Sequence, residues 1–255
     1  MTLAMINAVW VGPKLGPVHA ACLRSFVRHG HRTVLHVYEQ PADVPDGVEL
    51  ADAGELLPSS RIIRHRMSGS LALFSDLLRY EIQKKELGLY VDCDCYCLRP
   101  LEDAEYIFGW ESAASIANGV LKLLPNSPAL ANLLAIKDTR VFDTPWASAK
   151  RRAYQRLRAC LGVPVKIQDM PWGFTGPRAL TWYLKQHGLE RHARPIDTFY
   201  PVHWDQVPLL LDPGLTIADL VTPRTLILHL ANEKLRHFDI TTVPPTSPLG
   251  VILYS

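Results

Sequence analysis

Apolar and polar positions alternate along this chain with two distinct periods, and the switches between them outline an α/β protein. Residues 6–11 form a short apolar run closed by Gly12-Pro13, which predicts a buried strand followed by a loop. Residues 18–29 then repeat with helical period, with Val18, Ala21, Cys22 and Phe26 on one side and Gly30 as the stop. Residues 33–38 read as a second strand, and strand, helix, strand at this spacing is a βαβ unit that argues for a mostly parallel sheet. A Pro- and Gly-rich stretch over 39–60 holds one strand signal at 48–51. The strongest helix signal covers 71–87, where Leu71, Phe74, Leu77, Leu78 and Ile82 share a face; Gly88 closes it, and 89–93 reads as a buried strand.

Signals beyond Pro100 are weaker. The pattern predicts a strand core within 114–124, helices over 129–136 and 147–161, a Gly/Pro loop at 171–177 with a short helix to His187, and strands near 199–202 and 226–230. No internal repeat, low-complexity tract or linker is present, so a single domain over 1–255 is expected, with 1–100 and 101–255 as two halves of one unit.

Composition narrows the class. With 48% hydrophobic and 20% charged residues in 255, the chain has the balance of a globular protein that buries a substantial core. A net charge of +2 is too mild for a nucleic-acid binder. The odd set Cys22, Cys93, Cys95, Cys97 and Cys160 suits a reducing compartment, and no stretch approaches the roughly 20 apolar residues of a membrane helix, so a cytoplasmic protein is expected.

Candidate chemistry centres on one block. Asp92 and Asp94 sit two apart at the end of a predicted strand, a spacing that sends both carboxylates to one side; hard oxygen ligands of this kind suit Mg²⁺ or Mn²⁺ bound to a nucleoside diphosphate. With fifteen Asp in the chain, on the order of one such pair arises by chance, so context carries the reading. The pair ends an apolar strand, where open α/β sheets place their ligands. On the preceding helix Asp76, Arg79, Tyr80 and Gln83 lie at i, i+3, i+4 and i+7 and share a face.

Three cysteines interleave with the aspartates. Alternate strand residues stand about 6.6 Å apart, too far for Cys93 and Cys97 to meet one Zn²⁺ at about 2.3 Å, so these thiols are expected in the core, facing away from the aspartates. Lys150, Arg151, Arg152, Arg156 and Arg158 surround Tyr154, Leu157 and Leu161 on one predicted helix. A solvated face is the plain reading, and peripheral contact with the anionic inner face of a membrane, where a lipid-linked acceptor would be found, is the sharper one.

Ser75-Asp76-x-x-Arg79-Tyr80, followed by Gly88-x-Tyr90-x-Asp92-x-Asp94 and Cys97-Leu98-Arg99-Pro100, resembles the sugar-binding DXD region of family 32 glycosyltransferases. That family includes mannosyl-, galactosyl- and N-acetylglucosaminyltransferases and bacterial capsular polysaccharide enzymes. Trp10-Val11-Gly12, Asn118-Gly119, Thr175-Gly176-Pro177 and His229-Leu230-Ala231-Asn232-Glu233 resemble its outlying landmarks, with Ala231 where the family more often has Trp. The resemblance implies a GT-A fold and metal-dependent transfer of a hexosyl group, with retention, from a nucleotide-diphosphate sugar, UDP-sugar favoured, to a glycan or lipid-linked saccharide. It implies that Trp10 and Val11 flank the base, that Asp76 and Arg79 bind donor-sugar hydroxyls, and that Tyr90 lines the nucleotide pocket. Asp92 would touch ribose and metal, Asp94 and His229 would ligate the metal, and Asn118 and Asn232 would lie at the donor. The rival readings are a metal-dependent nucleotidyltransferase acting on sugar phosphates, for which Gly12-Pro13-Lys14-Leu15-Gly16 is a poor phosphate loop, and a non-catalytic nucleotide-sugar binding module.

Overall fold

A computed structural model of the chain describes residues 2–138, 144–171 and 173–254; Trp172, inside the expected 171–177 loop, lies outside the described residues. The elements run β1 (Ile6–Trp10), α1 (Pro17–Arg28), β2 (Thr33–Val37), β3 (Val48–Asp52), α2 (Ala72–Lys84), β4 (Leu89–Val91), β5 (Cys95–Cys97), β6 (Ile107–Trp110) and β7 (Ile116–Lys122). They continue with α3 (Pro128–Ala135), α4 (Ala149–Cys160), α5 (Pro177–Gln186), α6 (Ile196–Phe199), α7 (Ile217–Leu220), β8 (Ile227–His229), α8 (Asn232–Leu235) and α9 (Pro248–Tyr254).

Six strands form the central sheet in the order β3-β2-β1-β4-β7-β6. β3, β2, β1 and β4 are parallel, and β7 runs antiparallel to both β4 and β6, so the sheet is the mostly parallel one that the βαβ pattern predicts. Alternation sorts the side chains: Ile6, Ala8, Leu35, Leu89 and Val91 pack with Leu23 and Phe26 of α1, while Tyr90 turns to the opposite face with Phe74 and Leu78 of α2 and Leu180 of α5. Truncating the fully buried Phe74 to Ala would cost roughly 3–5 kcal/mol.

Some local expectations shift. α2 ends at Lys84, with Glu86 at φ 55° turning the chain, and Gly88 answers a different demand: at φ 118°, a Cβ there would stand 2.5 Å from the Met5 carbonyl. Residues 199–202, expected as a strand, hold the end of α6 and irregular chain; a short apolar run does not by itself distinguish strand from buried helix. β4 stops at Val91, and β5 leaves for a separate two-stranded sheet with β8, in which Cys95 pairs with His229. Among the described residues no helix is long and apolar enough to cross a membrane.

Candidate functional site

The chain builds outward through β1, β2 and β3, then returns along α2 to place β4 on the other side of β1. Parallel strands flanking such a reversal open a crevice beyond their carboxyl ends. Trp10 closes β1 at this edge, Val11 follows it half-buried, and Asp92 follows β4 directly.

The two aspartates do not occupy alternate positions of one strand. The Cys95 N–H donates to the Asp92 carbonyl at 3.0 Å, closing a turn over 92–95, while the Asp92 N–H stays bound to the Gly119 carbonyl at 2.7 Å. Asp92 therefore prolongs β4, and Asp94 lies at the junction of the two sheets. There the Leu230 N–H donates to the Asp94 carbonyl at 2.9 Å and the Asn232 N–H to its Oδ2 at 2.8 Å. Ala231, at φ 48°, turns the chain between them, a left-handed conformation costly for a residue with a Cβ. Oδ1 of Asp94 lies 3.4 Å from Nε2 of His229.

Burial on its own would raise the Asp94 carboxyl; the His229 ring, the Asn232 N–H and the His19 ring outweigh it and hold the group below its ordinary value. One ligand atom each from Asp94, Cys95 and His229 lies within 4.8 Å of the others. The Cys95 thiol thus stands beside Asp94 instead of facing away, and burial followed by the Asp94 and Asp92 charges pushes it up, keeping it protonated. One carboxylate, one imidazole and one thiol within this reach make a candidate set of ligands for a divalent ion.

Asp92 stands outside that group and belongs to a second network. Its Oδ1 accepts the Tyr90 hydroxyl at 2.7 Å and lies 3.1 Å from Nη2 of Arg79. Arg79 is buried along its length: Nη1 donates to the Asn118 carbonyl at 2.6 Å, Nη2 to the Ser75 hydroxyl at 2.7 Å, and the guanidinium lies 4.5 Å from the centre of the Tyr90 ring. Asp76 is buried too, with Oδ1 taking an N–H of the Asn118 amide at 2.8 Å and Oδ2 the Thr175 hydroxyl at 2.7 Å. Burial raises its carboxyl, and the Arg79 charge only partly opposes this. Tyr80 donates to the Thr175 carbonyl at 2.8 Å and Oε1 of Gln83 accepts the Leu123 N–H at 3.0 Å, so the whole polar stripe of α2 points inward.

Two glycines pack against the carboxylates. A Cβ at Gly119 would fall 2.7 Å from Oδ2 of Asp92, and one at Gly176 would fall 2.7 Å from Oδ1 of Asp76.

The sequence reading missed two rings. His19, in the first turn of α1, binds the Leu15 carbonyl through Nδ1 at 2.6 Å and lies 4.6 Å, centre to centre, from Trp10, whose Nε1 is buried without a partner among the described residues. Tyr200 lies 5.3 Å from the His229 ring and accepts the Val120 N–H at 3.2 Å. Both lie inside apolar runs that mark an element and not a site; only the short loop from β1 into α1 could have suggested His19.

No known family profile matches the chain. It is similar to Subversion of eukaryotic traffic protein A of Legionella pneumophila, at 24% identity over 233 residues, covering 78% of this chain and 34% of that protein. The chain thus spans about a third of the length of the curated relative it matches. It is also similar to the solved PaToxG glycosyltransferase, with a TM-score of 0.46 and 14% identity over 73% of this chain and 70% of that one.

Proposed function

We propose that the chain is a metal-dependent glycosyltransferase that moves a hexosyl group from a nucleotide-diphosphate sugar, UDP-sugar favoured, to a glycan or lipid-linked saccharide, with retention. The observation that carries this reading is the pairing of Asp94 with His229, next to the Arg79-held Asp92, beyond the carboxyl ends of β1 and β4.

Asp94 and His229 would hold Mn²⁺ or Mg²⁺, with Asp92 turned to ribose and metal; the ion would supply positive charge against the donor's diphosphate. Trp10 and Val11 flank the base. Asp76, Arg79 and Tyr90 serve as positioning residues: their bonds aim Asn118 and Asp92 at the donor. Asn232 closes the site beside Asp94. The acceptor hydroxyl attacks the anomeric carbon as its bond to the diphosphate oxygen breaks, and the departing phosphate takes the hydroxyl proton. Residues 1–100 carry most of the donor side, and 101–255 complete it through Asn118, Thr175, His229 and Asn232. The basic helix α4 brings the chain peripherally to an anionic membrane that bears the acceptor.

The test is a panel of nucleotide sugars with Mn²⁺, reading slow donor hydrolysis. Hydrolysis of one donor in the panel is expected. Binding without turnover would mark a binding module, and pyrophosphate release from a nucleoside triphosphate and a sugar phosphate would mark a nucleotidyltransferase; either result overturns the reading.

A further inference from the structure

Helix α4 is folded inside out. Of its twelve residues only Gln155 is buried, accepting the Thr144 hydroxyl at 2.9 Å and directing Nε2 to the Met170 sulfur at 3.7 Å. At about 100° per residue, Tyr154, Leu157 and Leu161 share one face, turned roughly 100–160° away from Gln155. They are 53%, 60% and 68% exposed, and Val163, just past the helix, is 49% exposed. A helix merely solvated on its outer face would turn these residues inward and the glutamine outward.

The cations frame this apolar row. Lys150 shares its side, and Arg151 and Arg158 line one flank. Arg158 also braces the row, donating through Nε to the Val163 carbonyl at 2.9 Å and through Nη1 to the Tyr154 hydroxyl at 3.3 Å. Residues 144–166 contain six Lys or Arg and no Asp or Glu.

We infer that this face docks on an anionic lipid bilayer, with Tyr154, Leu157 and Leu161 seated at the boundary between headgroups and acyl chains and the flanking cations on lipid phosphates. Charge selects the occupant. A second copy would bring the same cations face to face, and a neutral surface would leave them unanswered. The inference deepens the membrane contact of the proposed function and rests on that reading only for what the membrane carries.

Cys160 provides the probe, because it is the exposed cysteine on α4 while Cys22, Cys93, Cys95 and Cys97 are buried. The full chain, labelled there with a polarity-sensitive maleimide, is mixed with phosphatidylcholine vesicles containing or lacking phosphatidylserine, and flotation is read in parallel. Binding and a blue shift are expected only with phosphatidylserine. Partition should fall roughly fivefold for each of Lys150→Gln and Arg151→Gln, and at least tenfold in the Leu157→Ser/Leu161→Ser double variant. No flotation at low salt, equal flotation with neutral vesicles, or a double variant that binds as before overturns the inference. So does a dimer in light scattering that the double variant dissolves, or capture by an acidic protein surface with no affinity for vesicles. Because flotation needs no donor, its failure and a failure of donor hydrolysis are separate results.

Discussion

The Asp94 carboxylate receives the Asn232 backbone N–H at 2.8 Å, a bond between residues 138 positions apart that fixes the acid against the His229 ring. Replacing Asp94 with Asn keeps the volume and removes the charge. Metal-dependent donor hydrolysis should fall by about 3 kcal/mol of barrier, roughly a hundredfold, with the fold intact by circular dichroism. Unchanged turnover would remove Asp94 from the metal set.

Arg79 touches Asp92, Asp76, Asn118 and Ser75 from a buried position, so Arg79→Met should strand two carboxylates without their cation. The expected loss is about 3–5 kcal/mol, on the order of 10 °C in Tm. Arg79→Lys should recover only part of it, because an ammonium cannot reproduce the fork. A melting curve that matches the parent for Arg79→Met would show that the network contributes little.

Gly119 leaves room for Oδ2 of Asp92. In Gly119→Ala the new methyl would press on a carboxylate already held by Tyr90 and Arg79, so Asp92 must turn. Mn²⁺ affinity, followed by calorimetry with nucleoside diphosphate present, should drop at least tenfold while Tm changes by only a few degrees. Parent-like affinity would place Oδ2 away from the metal.

His36 is buried against Asn7, with its Nε2 2.9 Å from the Asn7 Oδ1, and burial lowers its pKa to about 4. His31 is lowered for the same leading reason. Both rings bind protons more readily unfolded than folded. Their stabilising effect is therefore complete above the ordinary histidine range and is lost as pH falls from about 6.5 toward 4. At roughly 1.4 kcal/mol per unit, His36 accounts for about 3 kcal/mol across that window. Urea midpoints between pH 7 and 4.5 should fall steeply for the parent and less for His36→Gln; equal slopes would refute the assignment.

The first half of the fold was legible because its signals are local. β1, α1, β2 and α2 each carry a strong hydrophobic period, and β4 lies close behind α2. The polar stripe of α2 was legible as a face, although nothing local says that it faces inward. Strand alternation failed at Asp94 because β5 leaves the central sheet to pair with β8, and that partner comes more than a hundred residues later. The same distance hid the thiol of Cys95 beside Asp94. β6 carried too little signal in four residues interrupted by Gly109. Tyr200 was assigned to a strand because an apolar stretch of four is ambiguous until its packing is known.

The small β5–β8 sheet also sets an order on folding. Asp92 and Arg79 take their partners from between residues 75 and 119, whereas Asp94 meets His229 and Asn232 only by closing one of the longest loops in the chain. By loop-closure entropy the setting of Asp94 is the costlier of the two to form. A molecule arrested between those stages would hold a nearly finished sheet and an Asp94 without its ring and N–H.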